Sequence, residues 1–445
     1  MSRSLGDDTT DAAATQKPLN SKLSPRIKAG WFKKLSLFSG LELVSRVLQM
    51  LGALLVVRFL AKDEYAWYSL AIGFQGMVGF LTMIGAGAAL FSMGGPIVND
   101  RKALGGLVRA VKSWRWRLMA FSLPVVLPIF AILLYRNACP PLLIALLLLL
   151  ACGMMWLEIQ RHLLAAPLEL AMRFNLLQKV EVIAAVVRLL ALGVLIGMMW
   201  MNAASVLLVS TLLVGWIPLI LLPKRTAEIA DPESTAPPAD ATRRIRALSL
   251  TAMPGAASYM LESQFATFFV AFAGYTTGVA DLGALARVGL LLTLPTAFLN
   301  KIIQPKLATV AAGHSLVRAW QLTLVFGVSI GALMMGGVWI FGDYLLLLLG
   351  PAYAGLKFEL LLYAAFQAIS FFTSSNGSLL EARGWLKRSW MRPIVVLGSM
   401  TCATFFLPIT TVSGAIGLMI VGSLGNLLVD GIIIALGFRG RSHVQ

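Results

Sequence analysis

Twelve long apolar stretches run through the chain, at 36–60, 66–93, 118–135, 140–157, 180–201, 203–222, 248–274, 282–303, 320–341, 357–380, 392–410 and 414–437. Most reach about 20 residues, the length a helix needs to cross roughly 30 Å of hydrocarbon. The runs are continuous, whereas the strands of a membrane barrel alternate lipid-facing and interior residues. The pattern therefore predicts an all-α polytopic membrane protein with about 12 transmembrane helices.

The polar segments divide the chain. Residues 1–34 turn basic through Lys17, Lys22, Arg26, Lys28, Lys33 and Lys34 before any long apolar run, and read as an N-terminal tail rather than a cleaved signal. Residues 223–246 contain Pro232, Pro237 and Pro238 among Ala, Asp, Ser and Thr, and read as a flexible linker. The expected organisation is a six-helix lobe at 35–222, the linker, a second six-helix lobe at 247–438, and a short tail at 439–445.

Charge then orients the bundle. Lys62, Arg136 and Lys357 occupy the loops of one phase, and Arg46, Arg58, Arg188 and Arg287 lie within apolar stretches. The remaining thirty of the 37 lysines and arginines fall in the tails and alternate loops, span edges included. Because positive charge is retained on the cytoplasmic side during insertion, both tails and the linker are expected in the cytoplasm.

With 58% hydrophobic residues, 13% charged residues and a mean hydropathy of +0.82, most of the apolar surface must face lipid. The net charge of +17 is explained by orientation and anionic headgroups, and implies no nucleic-acid partner. Cys139, Cys152 and Cys402 are too widely spaced for a disulfide framework or thiolate metal site, and His162, His314 and His443 are dispersed. Neither metal nor cofactor is implied.

The buried charges carry the candidate chemistry. An arginine near the bilayer centre costs about 2.5–3.5 kcal/mol on insertion scales, so Arg46, Arg188 and Arg287 are expected to face a polar interior. Arg58, near a span end, can snorkel. Glu42 precedes Arg46 by four residues and can neutralise it. Arg188 and Arg287 have no acid three or four positions away, so positive charge remains for an anionic ligand. Glu42, Glu262 and Asp430 are the intramembrane acids, read as ion-pair partners or ion-coupling groups, while Glu158, Glu181 and Glu381 read as boundary charges.

Two further patterns have packing explanations. Gly73, Gly76 and Gly79, then Gly193/Gly197 and Gly327/Gly331, set small residues on single helix faces and predict close helix contacts. Tyr65, Trp67, Tyr68, Tyr344 and Tyr353 gather near one set of helix ends and read as an aromatic belt at the membrane surface.

Several local motifs occur in order on this twelve-span plan. They are the run from Val57 through Arg58, Leu60, Asp63, Glu64 and Tyr65 to Ala71, the segment Ile84-Gly85-Ala86-Gly87, Leu294-Pro295 with Pro305-Lys306, and Leu349-Gly350-Pro351-Ala352-Tyr353-Ala354-Gly355. In these the chain resembles the polysaccharide transporter branch of the multidrug/oligosaccharidyl-lipid/polysaccharide (MOP) exporter superfamily, departing at Ala66, where glycine is usual. The resemblance implies a V-shaped pair of lobes around a central cavity that opens to either side of the bacterial inner membrane. It implies a polyprenyl-diphosphate-linked oligosaccharide as substrate, with Arg46, Arg188 and Arg287 placed to meet its phosphates, and polysaccharide polymerase and export machinery as partners. No enzymatic step is expected, and no nucleotide-binding loop of the form G-x-x-x-x-G-K-[ST] is found. The alternatives are an ion-coupled exporter of small molecules in the same superfamily, which would need acids to dominate the cavity, and a polysaccharide polymerase or ligase.

Overall fold

The computed structural model describes residues 25–83, 86–234, 240–299, 303–310, 313–383, 385, 390–408 and 410–439. Its first half comprises α1 (Pro25–Phe59), α2 (Lys62–Met83), α3 (Ala86–Gly94), α4 (Arg101–Arg136), α5 (Pro141–Leu170), α6 (Phe174–Gly197), α7 (Ala203–Leu207), α8 (Val214–Leu221) and α9 (Pro223–Ala227). The second comprises α10 (Ala241–Phe272), α11 (Thr276–Val288), α12 (Thr293–Phe298), α13 (Gln304–Thr309), α14 (His314–Leu349), α15 (Lys357–Arg383), α16 (Met391–Ala403) and α17 (Val412–Arg439). No strand occurs among the described residues. Among the described residues, helix covers most of each of the twelve apolar stretches. Seven segments among the described residues, on α1, α4, α5, α6, α7 through α9, α14 and α17, are long and apolar enough to cross a membrane. The chain is a multi-pass helical membrane protein.

Helices extend beyond the apolar runs where polar residues can continue them. α4 starts at Arg101 rather than near 118, because the Asp100 carboxylate caps it by accepting from the backbone N–H groups of Lys102 and Ala103, each at 3.0 Å. The cations from Arg101 to Arg117 thus lie on a helix, and Arg115 falls on its buried face. α1 likewise begins at Pro25, inside the expected tail; residues 1–24 and 440–445 lie outside the described part.

Residues 223–234 are a docked strap rather than a loose linker. Arg101 donates to the carbonyl of Ala227 and Arg109 to that of Pro232, both at 2.6 Å, and Asp231 donates its backbone N–H to Arg101. Gly105 makes this approach possible, because a Cβ there would meet the Asp231 carbonyl oxygen at 2.0 Å. Hydrogen bonds from Arg173 and Arg225 hold the Glu228 carboxyl below the usual range. The prolines at 237 and 238 lie outside the described residues.

The glycine faces divide. Gly327 and Gly331 pack on α15, against Ser375 and Ala368, and Gly73 and Gly79 face Gln264 and Glu158. Among the described residues, Gly76, Gly193 and Gly197 have no neighbour within contact of a Cβ.

The two halves meet most closely where α2 runs beside α11. Gly283 has space only because it lacks a Cβ, which would sit 2.5 Å from the Ser69 hydroxyl oxygen. α10 lies between the halves, packing on α2 and α4 as well as on α16 and α17.

Candidate functional site

Arg46, Arg188 and Arg287, far apart in sequence, border one cavity of about 370 Å³. α1 supplies Arg46, Val47, Gln49, Met50 and Ala53; α2 supplies Tyr68, Ile72 and Gln75. Arg188 comes from α6, Ser210 and Thr211 from a π-helical segment over Leu208–Leu213, and Arg287 and Leu290 from the end of α11 and the turn after it. Among the described residues, no carboxylate belongs to this lining.

Each arginine is held differently. Arg46 lies 3.5 Å from the Glu42 carboxylate, so the i,i+4 pairing read from sequence forms, and Gln178 donates to the same carboxylate at 3.4 Å. Glu42 is buried, while the Arg46 side chain is 41% exposed. Arg188 donates one Nη to the Tyr68 hydroxyl at 3.4 Å, and its buried Nε has no hydrogen-bond partner among the described residues. The Arg188 side chain lies along α1 beside Gly52, with Nε 3.6 Å from where a Cβ would stand, an ordinary contact distance. Arg287 donates Nε to the Tyr65 hydroxyl at 3.1 Å, and no acid pairs with it in the described structure.

Ser210 also presents a buried hydroxyl without a partner among the described residues. A π-helical turn inserts a residue into the helical repeat and re-aims the side chains around it, which is why such turns cluster at functional sites. Here it turns Ser210 and Thr211 toward the arginines. Hydrophobic periodicity gives no sign of this turn.

The acids have different surroundings. Asp430 is buried and accepts from Nε and Nη2 of Arg392 at 2.9 and 2.6 Å, tying α17 to α16. It is absent from the cavity lining. Glu262 falls in α10, but its side chain is outside the described part. Glu158 is no plain boundary charge: its carboxylate oxygen is shared by Arg161 and His162, both at 2.9 Å.

The aromatic belt is corrected. Tyr65, Trp67, Tyr68 and Tyr353 are 0%, 8%, 3% and 2% exposed, and only Tyr344, at 68%, faces outward. The belt reading fails for four of its five residues, and for the three on α2 it fails because that helix packs against α11 and α4 instead of lipid. Tyr68, Ile72 and Gln75 follow the three-and-four spacing of one helix face, a signal that could have placed them in a polar interior.

No protein-family model and no curated protein matches the chain. Solved structures do. An inward-facing multidrug resistance MATE family transporter of the MOP superfamily aligns with a TM-score of 0.65 at 13% identity, covering 88% of this chain and 95% of its own. An outward-facing structure of such a transporter gives 0.62 at 15%, covering 91% and 94%. A MOP superfamily transporter from Pyrococcus furiosus, whose binding pocket is described as having reverse polarity that suggests a different function, gives 0.58 at 14%, covering 91% and 94%. The chain has the fold of these transporters.

Proposed function

We propose that this protein is a transporter that moves an anionic, lipid-linked headgroup across the bacterial inner membrane by alternating access. The substrate class is a polyprenyl-diphosphate-linked oligosaccharide for exopolysaccharide, capsule or O-antigen assembly. Residues 35–222 and 247–438 would rock as two lobes with both termini in the cytoplasm, delivering the product to polysaccharide polymerase and export machinery. No covalent step is required.

One observation carries this reading: three arginines border a cavity whose lining, among the described residues, contains no carboxylate. Guanidinium groups pair with phosphate through parallel charge-assisted hydrogen bonds. Arg188 has an unpartnered Nε, and the Ser210 hydroxyl adds a second unsatisfied polar group. The fold permits this use, since the same fold in the Pyrococcus furiosus transporter is described with a pocket of reverse polarity.

The second reading is export of small molecules. It is favoured by the multidrug MATE transporters that share the fold, and by a cavity of about 370 Å³, within the roughly 300–1,000 Å³ of small-molecule pockets. An exporter of cations would face the charge of Arg188 and Arg287 in the site itself.

Proteoliposomes carrying the full chain separate the two. Translocation of a fluorescent polyprenyl-diphosphate oligosaccharide that falls in Arg188→Ala and Arg287→Ala supports the flippase reading. Efflux of a small cationic dye, with no movement of the lipid-linked sugar under any imposed gradient, supports the exporter.

A further inference from the structure

A continuous set of contacts connects the cavity to the seam between the two halves. Lys62, at the start of α2, places its Nζ 2.7 Å from a carboxylate oxygen of Asp281 on α11. The same ammonium stands 5.4 Å from the centre of the Tyr353 ring. Tyr353 meets Tyr65 edge to face, with ring centroids 6.4 Å apart and an interplanar angle of 78°. Tyr65 accepts the hydrogen bond from Arg287, which borders the cavity. Lys62 and Tyr65 share α2, and Asp281 and Arg287 share α11.

Around this set, other bonds cross between the halves. Asn137 donates to the Ala271 carbonyl at 2.7 Å, Arg136 to that of Phe272 at 2.7 Å, and Arg58 to that of Leu347 at 3.3 Å. Lys62, Arg136 and Lys357 mark this as the sparsely charged end of the bundle.

We propose that Lys62–Asp281, with Tyr353 and the Tyr65–Arg287 hydrogen bond, is a ligand-released clasp between the halves: an anion that takes the Arg287 guanidinium displaces Tyr65 and loosens the pair. Asp281 is buried, and a buried pair gains strength from low dielectric only while its geometry is kept. A charge-assisted bond to an anion is stronger than the bond to a neutral hydroxyl, so the ligand wins Arg287. Tyr65 then no longer has a fixed partner on α11, and the ring on which Lys62 rests loses its support. The ligand thereby binds the opened arrangement better than the closed one, the condition for it to shift the balance between them. The anionic identity of the releasing ligand rests on the function proposed above; the clasp does not.

Cys139 supplies a native reporter, being 4% exposed two residues from Asn137 at this seam. The test uses the full chain in nanodiscs with Cys152→Ser and Cys402→Ser, and measures the rate at which a maleimide labels Cys139. Asp281→Asn, nearly unchanged in shape, should raise the rate about tenfold or more. Tyr65→Phe should raise it as well. Inorganic pyrophosphate should raise it in the parent and add little in Tyr65→Phe. Asp343→Asn, which breaks the exposed Lys357–Asp343 pair, should leave it unchanged. The exchanged pair Lys62→Asp with Asp281→Lys should restore slow labelling, separating a clasp from a folding defect. An unchanged rate in Asp281→Asn overturns the clasp, whatever the cavity binds. A rate that rises in Asp281→Asn but ignores pyrophosphate overturns release by an anion.

Discussion

Arg287 and Tyr65 stand 222 positions apart, on opposite halves of the chain, and meet through a 3.1 Å hydrogen bond at the edge of the cavity. The bond gives a buried tyrosine hydroxyl, and an arginine that meets no acid among the described residues, a satisfied contact each. Removing the acceptor leaves the guanidinium's N–H unmatched, at a cost of about 1–3 kcal/mol. Tyr65→Phe should therefore lower the melting temperature in detergent, and Tyr65→His, which retains an acceptor, should lower it less.

Arg188 and Arg46 should differ in their effect on ligand binding. Glu42 already compensates Arg46 at 3.5 Å, whereas the Nε of Arg188 has no partner. Arg188→Gln should weaken pyrophosphate binding by about 1.5–3 kcal/mol, roughly 10- to 150-fold, and Arg46→Gln by about tenfold at most. Calorimetric titration of both variants checks the order.

Ser210 separates function from stability. Its buried hydroxyl has no partner, so Ser210→Ala removes an unsatisfied group and should leave the melting temperature unchanged or slightly raised. The same substitution should weaken ligand binding by about 0.5–1.5 kcal/mol, the usual worth of one hydrogen bond. Melting and titration on one preparation decide it.

The strap makes a steric prediction. In Gly105→Ala the new methyl group would occupy the place of the Asp231 carbonyl, which it would approach to 2.0 Å. Overpacking of this kind costs about 1–3 kcal/mol, and moving the strap away relieves it. Limited trypsin digestion should cut faster after Lys224 and Arg225 in this variant than in the parent.

Asp430 should prove structural. Breaking a buried pair by removing one partner costs about 3–5 kcal/mol, so Asp430→Ala should destabilise the α16–α17 contact strongly. Replacing both partners, as Arg392→Met with Asp430→Leu, should recover much of the loss. Transport measured in the double variant tests whether the acid has any coupling role.

The helices are legible because lipid requires continuous apolar runs, and the three arginines because charge inside such runs needs a polar setting. Their convergence is not legible, since it depends on how α1, α2, α6 and α11 pack across both halves. The Glu42–Arg46 pair is local, and four-residue spacing reveals it. Tyr65 and Tyr68 mislead for the opposite reason: their position near a helix end matches a membrane belt, whereas partners distant in sequence, α11 and Tyr353 at Tyr65 and Arg188 at Tyr68, pack against them. The strap contradicts its composition as well. Proline and small polar residues favour a loose linker, but Arg101, Arg109 and Gly105, more than 120 positions upstream of the carbonyls they meet, dock it on α4.

The most direct measurement is binding of a fluorescent polyprenyl diphosphate to the full chain in nanodiscs, compared with the variant carrying Arg188→Ala and Arg287→Ala together. An anion-accepting cavity predicts saturable binding that inorganic pyrophosphate competes away and that the double variant loses while it still unfolds cooperatively. Undiminished binding in the double variant, or displacement by a small cationic dye and not by pyrophosphate, would contradict it.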